Sequence, residues 1–421
     1  MDTLQMLGKR YVPRLIDEQV TSALRVSGAI LLEGPRGCGK TMTAVHHAAS
    51  AVFLDDPAVQ DLMTVDPWAP LDGDSPRLID EWQLEPQVWN RVRRRVDALE
   101  GFGHFILTGS SVPDDDATRH SGAGRFLRIQ QRTMTWVEKG KSIPTVSLRA
   151  LFGGEKVSSS LEAYSLDDNV AALLTSGFPA QVSLTVTDAS HVLNAYLAEI
   201  ARTDIAVLGT IRHEPEVIDQ LLRSLARNTA SEVTLATVRK DLLRIVPEIK
   251  ERTIASYLRL LMRLFVIESV PAWTPKLRSR ARLRTARKYH LADASLAAAA
   301  LGAGRDVLMS DVKTLGFLFE SAVVHDLAVM TEAMGGRISH YRDSNGYEID
   351  AILQLPDGRW GAVEVKLGIG AVTGGIERLN AAIAQIDADR PPSFAAVISG
   401  TGMTYTANGG AVTFPFLSLG M

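Results

Sequence analysis

The chain has a single cysteine, Cys38, among its 421 residues. One thiol excludes an internal disulfide framework and a four-cysteine zinc site, and it fits a reducing compartment. The opening residues have neither the basic start nor the unbroken apolar run of a signal peptide, and no stretch of about 18 apolar residues occurs in the sequence. We therefore expect a cytoplasmic protein with no membrane partner.

An excess of one charge sign is also missing. The 45 Lys and Arg residues against 48 Asp and Glu residues leave a net charge of -3. This value is close to neutral for such a length, so local clusters of charge have to be considered instead. Hydrophobic residues make up 46% and charged residues 22%, which excludes an intrinsically disordered chain. At roughly 150 residues per domain, the length suggests two to four domains.

Residues 1–150 alternate short apolar runs with helical segments. The runs are typical of buried strands and lie at 28–34, 51–56, 76–81 and 104–110. Amphipathic or mixed segments at 41–50 and 87–100 lie between them. This alternation indicates an α/β fold with a parallel sheet covered on both faces. The polar stretch 113–124 is predicted to be an exposed loop.

The strongest motif follows the first of these strands. Residues 34–41 match the phosphate-loop pattern G-x-x-x-x-G-K-[ST] in full, between a strand and a helix. Its glycines let backbone N–H groups surround phosphate oxygens, and the helix N-terminus adds partial positive charge. This context disfavours the alternative of a chance match in a structural glycine turn. We assign nucleotide contacts to the whole loop, which comprises Gly34, Pro35, Arg36, Gly37, Cys38, Gly39, Lys40 and Thr41.

Within this loop, two residues have distinct expected roles. Lys40 is expected to reach the β- and γ-phosphates of ATP, and the Thr41 hydroxyl is expected to bind Mg²⁺.

About 40 residues later, Asp80 and Glu81 end the third apolar run. Asp80 is predicted to contact Mg²⁺ directly or through water, and Glu81 to polarise the attacking water as a general base. The alternative is a solvated acidic pair at a strand end.

Two further features are candidates for catalysis. The fourth apolar run ends in small hydroxyl residues, and Thr108 or Ser110 is expected to orient the attacking water. Arg125 is a candidate arginine finger that reaches the nucleotide of a neighbouring subunit, which requires a homo-oligomer. The alternatives are a plain strand-to-turn transition and an ordinary surface arginine.

The middle of the chain is mainly helical and includes a basic segment. Helical periodicity covers 216–228, 234–243 and 250–264, and a predicted strand follows at 266–270. Three short helices before a strand pair are typical of a winged helix-turn-helix. Where its wing would lie, five cations alternate with period two and share one face of a strand, namely Lys276, Arg278, Arg280, Arg282 and Arg284.

The same basic segment continues to Arg287 and Lys288. A one-sided row of cations suits a phosphate backbone, and Arg252 and Arg259 on the last of the three helices are expected to add contacts. DNA is therefore the predicted partner. The alternative is a solvated edge strand that charge protects from aggregation.

The last stretch of the chain predicts the order α-β-β-β-α-β. Its segments lie near 317–330, 338–342, 347–355, 360–368, 374–388 and 393–400. Asp350 lies on the second strand, and Glu364 and Lys366 lie two apart on the third, so they share a face. We expect Asp350 and Glu364 to converge on one divalent metal, with Glu320 from the preceding helix and Lys366 beside the attacking water.

This D…ExK pattern resembles the PD-(D/E)xK nucleases. The resemblance implies a metal-dependent site that cleaves a phosphodiester. The pattern is short and degenerate, so a charged strand face without metal is the alternative. A shared fold also does not establish a shared chemistry.

Several segments together carry a wider resemblance. GPRGCGKT, RLIDEWQ, FILTGSS and GAGRFLRI resemble the AAA-family P-loop ATPases of bacteria and archaea. SGFPA, YLAEIARTDI and YHLADASL are similar to the group that carries a C-terminal domain of unknown function. The resemblance implies a parallel-sheet P-loop NTPase core over 1–150, a helical, winged-helix-like domain over 151–305 and a restriction-endonuclease-like α/β domain over 306–421.

The resulting hypothesis is a Mg²⁺-dependent ATPase that binds DNA, with cleavage by the C-terminal domain as a further expectation. The alternative belongs to another functional class. In it, the chain is a nucleotide-dependent regulatory or scaffold protein whose nuclease-like domain only binds a partner.

Overall fold

The computed structural model describes most of the chain, namely residues 11–111, 122–161, 164–205, 214–275 and 287–421. Most of the predicted polar loop and the five alternating cations lie outside these described residues. The chain divides into two units. Residues 1–133 with 261–266 form the N-terminal unit, and residues 134–260 with 267–421 form the C-terminal unit.

The N-terminal unit alternates strands and helices as predicted. Its elements are α1 (Asp17–Leu24), β1 (Ala29–Glu33), α2 (Lys40–His47), β2 (Ser50–Phe53), α3 (Pro57–Val65), β3 (Arg77–Asp80), α4 (Gln87–Ala98), β4 (Phe105–Gly109) and β5 (Phe126–Gln130). All five strands pair in parallel, in the order β2-β3-β4-β1-β5. This parallel sheet fits a P-loop NTPase core. The four predicted strands are confirmed.

Side chains alternate between the two faces of a strand, and in this sheet both faces are apolar. Helices therefore cover both faces. On β1, Ala29 and Leu31 belong to a core cluster that includes residues of α4. Ile30 and Leu32 belong to a second cluster that includes residues of α1 and α2. Since β3, β4 and β1 are parallel neighbours, their carboxyl ends meet at one edge of the sheet. Residues that follow these strands are therefore brought together there.

The middle of the chain, up to residue 310, is mainly helical. Its elements are β6 (Val146–Ser147), α5 (Leu148–Phe152), β7 (Ser160–Leu161), α6 (Leu166–Leu174), α7 (Val186–Glu199), α8 (Pro215–Arg227), α9 (Leu235–Leu242), α10 (Glu251–Arg263), β8 (Ile267–Val270), β9 (Lys288–Leu291), α11 (Ala294–Leu301) and α12 (Arg305–Ser310). Strands β8 and β9 pair antiparallel. The three helices predicted before this strand pair are confirmed as α8, α9 and α10.

The rest of the chain follows the predicted α-β-β-β-α-β order and then adds strands. Its elements are α13 (Val312–Ala333), β10 (Arg337–Arg342), β11 (Glu348–Gln354), β12 (Trp360–Lys366), α14 (Val372–Ala384), β13 (Phe394–Ser399), β14 (Met403–Thr406), β15 (Val412–Pro415) and β16 (Leu419–Gly420). A seven-stranded mixed sheet has the order β10-β11-β12-β13-β15-β14-β7. Strand β7, from the predicted second domain, joins this sheet, and β6, from the end of the predicted first domain, pairs with β16. The C-terminal unit therefore contains the predicted third domain, the predicted second domain apart from 261–266, and 134–150 of the predicted first domain.

Helix α13 is long and apolar enough to cross a membrane by length and composition alone. However, 67% of that apolar window is buried inside the protein. Its buried residues, such as Leu315, Phe319 and Val323, recur at helical spacing. The helix packs against β10 and β11, so it is a core helix of the C-terminal unit.

Candidate functional site

The loop after β1 has the backbone form that binding of an anion requires. Gly37 and Gly39 have φ angles of 80° and 100°. Residues with a side chain are strained in this part of backbone conformational space, whereas glycine is not. Gly34 is needed for a different reason, since a Cβ there would lie 2.0 Å from the carbonyl oxygen of Gln131. Helix α2 begins at Lys40, directly after the loop. Its N-terminus therefore adds partial positive charge to the loop.

Two side chains that sequence analysis did not single out hold the loop in place. Arg14 Nη1 and Gln131 Nε2 donate to the Cys38 carbonyl oxygen at 3.0 and 3.3 Å. Cys38 itself is fully buried, and its Sγ donates to the Gln131 carbonyl oxygen at 3.3 Å. Gln131 Nε2 also donates to Thr43 Oγ1 at 3.0 Å, which links the loop to α2. The side chain of Cys38 therefore packs beneath the loop.

Lys40 lies folded across its own loop. Its side chain is buried, and Nζ donates to the carbonyl oxygens of Gly34 and Pro35, both at 3.0 Å. Arg36, by contrast, is exposed on the loop. Phosphate oxygens are stronger acceptors of an ammonium hydrogen bond than neutral carbonyls. Lys40 is therefore positioned to exchange these carbonyls for the phosphates of a nucleotide.

Asp80 ends β3 beside the loop and is buried. Its Oδ1 accepts hydrogen bonds from Thr41 Oγ1 at 3.0 Å and from Thr108 Oγ1 at 2.5 Å. Burial raises the pKa of Asp80 to about 6, although the two hydroxyls and Lys40 oppose this shift. The hydroxyl of Thr41 and the carboxylate of Asp80 are hard oxygen donors of the kind that Mg²⁺ prefers. These two residues therefore fit the predicted metal.

Glu81 leaves β3 in an unusual backbone conformation. Its φ of 54° and ψ of 46° are left-handed, which is uncommon for a residue other than glycine. The Glu81 N–H donates to Thr108 Oγ1 at 3.1 Å. Its Oε2 accepts from Ser110 Oγ at 3.3 Å and from Gln83 Nε2. The structure thus brings Asp80, Glu81, Thr108 and Ser110 together, and it adds Gln83, which sequence analysis missed.

Arg125 does not lie with this group. The Arg125 carbonyl accepts from Ala29 N, at the beginning of β1, whereas the phosphate loop follows the end of that strand. The length of β1, about 13 Å at 3.3 Å per residue, separates the two positions within one chain. Arg125 Nε instead donates to Asp97 Oδ1 at 2.9 Å. A role for Arg125 at a neighbouring subunit's nucleotide stays a prediction.

Family comparisons agree with this geometry. The AAA domain family matches residues 26–139, which contain the loop and every strand of the parallel sheet. Residues 26–139 are an AAA-type P-loop ATPase domain. Residues 166–306 match a domain of unknown function, DUF8612, and residues 315–417 match another, DUF4143. The chain matches no curated protein.

Two solved structures resemble the chain in part. The Walker-type ATPase PABY2304 of Pyrococcus abyssi is 13% identical with a TM-score of 0.42, over 69% of this chain and 96% of that one. A replication initiator, DnaA bound to AMPPCP and single-stranded DNA, is 12% identical with a TM-score of 0.28, over 59% and 86%. These likenesses are too distant to show what this chain binds. The assignment of the AAA domain rests on the family match and on the site itself.

Outside the AAA domain, the predicted nuclease-like residues come together on neighbouring strands. The ladder between β11 and β12 extends to Ala351 and Val363. Beyond it, Asp350 Oδ2 accepts from the backbone N–H of Val365 at 2.8 Å. Lys366 Nζ donates to Glu364 Oε1 at 2.5 Å. Asp350 and Glu364 are both buried.

Glu320 on α13 lies close to Asp350, and we call Glu320, Glu348, Asp350 and Glu364 the carboxylate cluster. Lys288, which belongs to the basic segment of the sequence, also lies in this cluster. Lys288 Nζ lies 3.1 Å from Glu320 Oε1, 2.9 Å from Glu348 Oε1 and 3.8 Å from Asp350 Oδ1. Only 3% of the Lys288 side chain is exposed. Lys288 therefore does not lie on a nucleic-acid-binding face. Sequence analysis missed both this role of Lys288 and the participation of Glu348.

Burial controls the electrostatics of the carboxylate cluster. Burial raises the pKa of Glu364 and of Glu320, and Asp350 raises both further. Burial alone would lower the pKa of Lys288, but Glu320, Asp350 and Glu348 outweigh it and hold that pKa above its usual value. Lys288 is therefore protonated at neutral pH and carries a permanent positive charge in the cluster.

The predicted nucleic-acid residues are described only in part. Arg252 and Arg259 are exposed on α10, with Thr253, Ala255 and Ser256 between them along the helix. Arg259 Nη2 donates to Ser256 Oγ at 2.7 Å. The remaining predicted contacts lie outside the described residues, and they are Lys276, Arg278, Arg280, Arg282 and Arg284.

Proposed function

We propose that the chain is a Mg²⁺-dependent ATPase that hydrolyses ATP with Glu81 as the general base. The observation that carries this proposal is the convergence of the phosphate loop, Asp80, Glu81 and Thr108 at one edge of the parallel sheet. Thr41 and Asp80 would hold Mg²⁺, which neutralises phosphate charge when bound. Arg125 would act only in a homo-oligomer, since it lies at the other end of β1 in its own chain.

The side chains around Glu81 give it a defined task. Ser110 and Gln83 hold its Oε2, while Thr108 fixes both its backbone and the Asp80 carboxylate. A carboxylate held in this way can accept a proton from water without first losing rotational freedom. Lys40 and the loop N–H groups bind the phosphates and orient them toward that water.

Lys40→Ala tests nucleotide binding. We expect ATP affinity to fall about 30-fold, because a hydrogen bond from an ammonium to a charged acceptor contributes about 2 kcal/mol. Isothermal titration with ATP and Mg²⁺ measures the change. Lys141→Ala, which removes an exposed lysine, is the control and should bind normally. Equal affinity of the Lys40 variant and the wild-type chain, or a wild-type chain that retains no nucleotide, would contradict the proposal.

We further propose that the C-terminal unit binds DNA. Helices α8, α9 and α10, followed by the antiparallel pair of β8 and β9, have the order of a winged helix-turn-helix. Arg252 and Arg259 are seven residues apart, close to two helical turns, so both are on one exposed face of the third helix. The sequence between β8 and β9 supplies the alternating cations in the position of a wing.

The double variant Arg252→Ala/Arg259→Ala tests this face. We expect weaker binding of duplex DNA, and a plot of log K against log salt that is shallower by about 1.8, since each lost phosphate contact removes about 0.9. Fluorescence anisotropy at several salt concentrations measures both quantities. Arg305→Ala/Lys313→Ala removes two other exposed cations and should leave the slope unchanged. The same slope in both double variants would refute the assigned face.

Cleavage of DNA is a distinct function, and its support is weaker. Asp350, Glu364 and Lys366 converge as the nuclease pattern requires. However, the position of Lys288 in the cluster opposes a divalent cation. The geometry therefore favours a nucleotide-dependent protein whose C-terminal unit binds a partner without cutting it. Nicking of plasmid DNA by the wild-type chain in Mn²⁺, and its loss in Asp350→Ala, would establish cleavage instead.

A further inference from the structure

The nuclease resemblance implies a divalent cation between carboxylates of α13, β11 and β12. Such a site leaves carboxylate oxygens free to bind the metal. In this chain, both oxygens of Asp350, one oxygen of Glu320 and one oxygen of Glu364 already have partners. Lys288 Nζ contacts Glu320 Oε1 and Asp350 Oδ1, the Val365 N–H donates to Asp350 Oδ2, and Lys366 donates to Glu364 Oε1.

The position of Lys288 is determined by more than one contact. Lys288 begins β9, and its ammonium lies within 4 Å of carboxylates from α13 and β11. Two residues later on the same strand, His290 Nδ1 lies 3.0 Å from Ser321 Oγ, next to Glu320 on α13. Two adjacent pairs thus align β9 with α13. The Lys288 side chain is buried between these elements. Its ammonium therefore cannot swing out into solvent while β9 and α13 stay packed.

We propose that the carboxylate cluster holds the Lys288 ammonium in place of a divalent cation. The cluster is then a fixed, metal-free junction that joins β9 to α13 and β11. A metal ion added beside Lys288 would meet a positive charge a few ångströms away in a buried environment, where such repulsion is strong. The proposal concerns the C-terminal unit alone and does not depend on ATP hydrolysis.

The prediction is that Lys288→Met opens a cation site that the wild-type chain lacks. The full chain without nucleotide is titrated with Mn²⁺, and free Mn²⁺ is counted by electron paramagnetic resonance. We expect Lys288→Met to bind one more equivalent of Mn²⁺ than the wild-type chain. The double variant Lys288→Met/Asp350→Asn should lose this equivalent. Lys313→Met, which removes an exposed lysine of α13, should behave as the wild-type chain does.

The comparison of the wild-type chain with Asp350→Asn decides the matter even if Lys288→Met does not fold. Equal Mn²⁺ binding by these two proteins supports a metal-free cluster. Loss of one equivalent in Asp350→Asn shows that a cation binds despite Lys288, and it overturns the proposal. A folded Lys288→Met protein that gains no Mn²⁺ also overturns it, because Lys288 would then not be what excludes the metal.

Discussion

Glu81→Gln is expected to bind ATP as tightly as the wild-type chain and to hydrolyse it at least about 100-fold more slowly. The amide cannot accept a proton from water, whereas the phosphate loop and the Asp80–Thr41 pair remain unchanged. Gln has nearly the shape of Glu and keeps the left-handed backbone, so the stability of the domain should stay the same. Phosphate release and ATP titration, measured on one preparation, separate the two effects.

The control for this variant is Glu100→Gln, which alters an exposed carboxylate just beyond α4. It should change neither ATP binding nor turnover. If Glu81→Gln retained full turnover, Glu81 would not be the general base, and another group at the sheet edge would have to accept the proton. If it lost ATP binding as well, Glu81 would act in forming the site and its catalytic role would be unproven.

The sequence allowed much of the N-terminal fold to be predicted because the signals there are local. Strands of a parallel sheet appear in a sequence as continuous apolar runs. The four predicted runs correspond to β1, β2, β3 and β4. The strand β5 was missed, because Leu127 and Arg128 on it are exposed and Arg128 interrupts the apolar run. An edge strand of mixed character has no periodic signal that separates it from a loop.

The site residues likewise divide into those that a local sequence pattern marks and those that it does not. Asp80, Glu81, Thr108 and Ser110 were predictable, since each lies in the last two residues of a strand or directly after it, where the carboxyl end of the strand lies beside the phosphate loop. Arg14 and Gln131 were not, because they contact Cys38 from 24 and 93 residues away along the chain. No local pattern marks such a contact, although its effect on the loop is direct.

Lys288 shows how a charge pattern can mislead. In the sequence it is the last of a series of cations, which suggests one solvated or DNA-binding face. In the structure it begins β9 with its ammonium among three carboxylates. Those carboxylates are 32 to 62 positions later in the sequence, on other elements. Burial of a lysine depends on such distant partners, so the run of cations alone could not predict it.

The second large effect is expected from Gly34→Ala, which should weaken ATP binding at least about 1,000-fold. The added Cβ would lie 2.0 Å from the Gln131 carbonyl oxygen, so either the loop or the chain after β5 has to move. A displaced loop no longer directs its N–H groups at the phosphates. Loss of two such charge-assisted bonds, at about 2 kcal/mol each, amounts to about 4 kcal/mol, or three powers of ten.

Gly34→Ala also distinguishes the backbone of the loop from its lysine, because the variant keeps the Lys40 ammonium group while its N–H cradle is displaced. Its effect should therefore exceed that of Lys40→Ala. Gly304→Ala is the matched control, since a Cβ there meets no atom within 4 Å. Thermal unfolding checks that the variant is folded before ATP is titrated. Normal ATP affinity in folded Gly34→Ala would mean that the loop tolerates displacement, and the backbone cradle would not be what binds the phosphates.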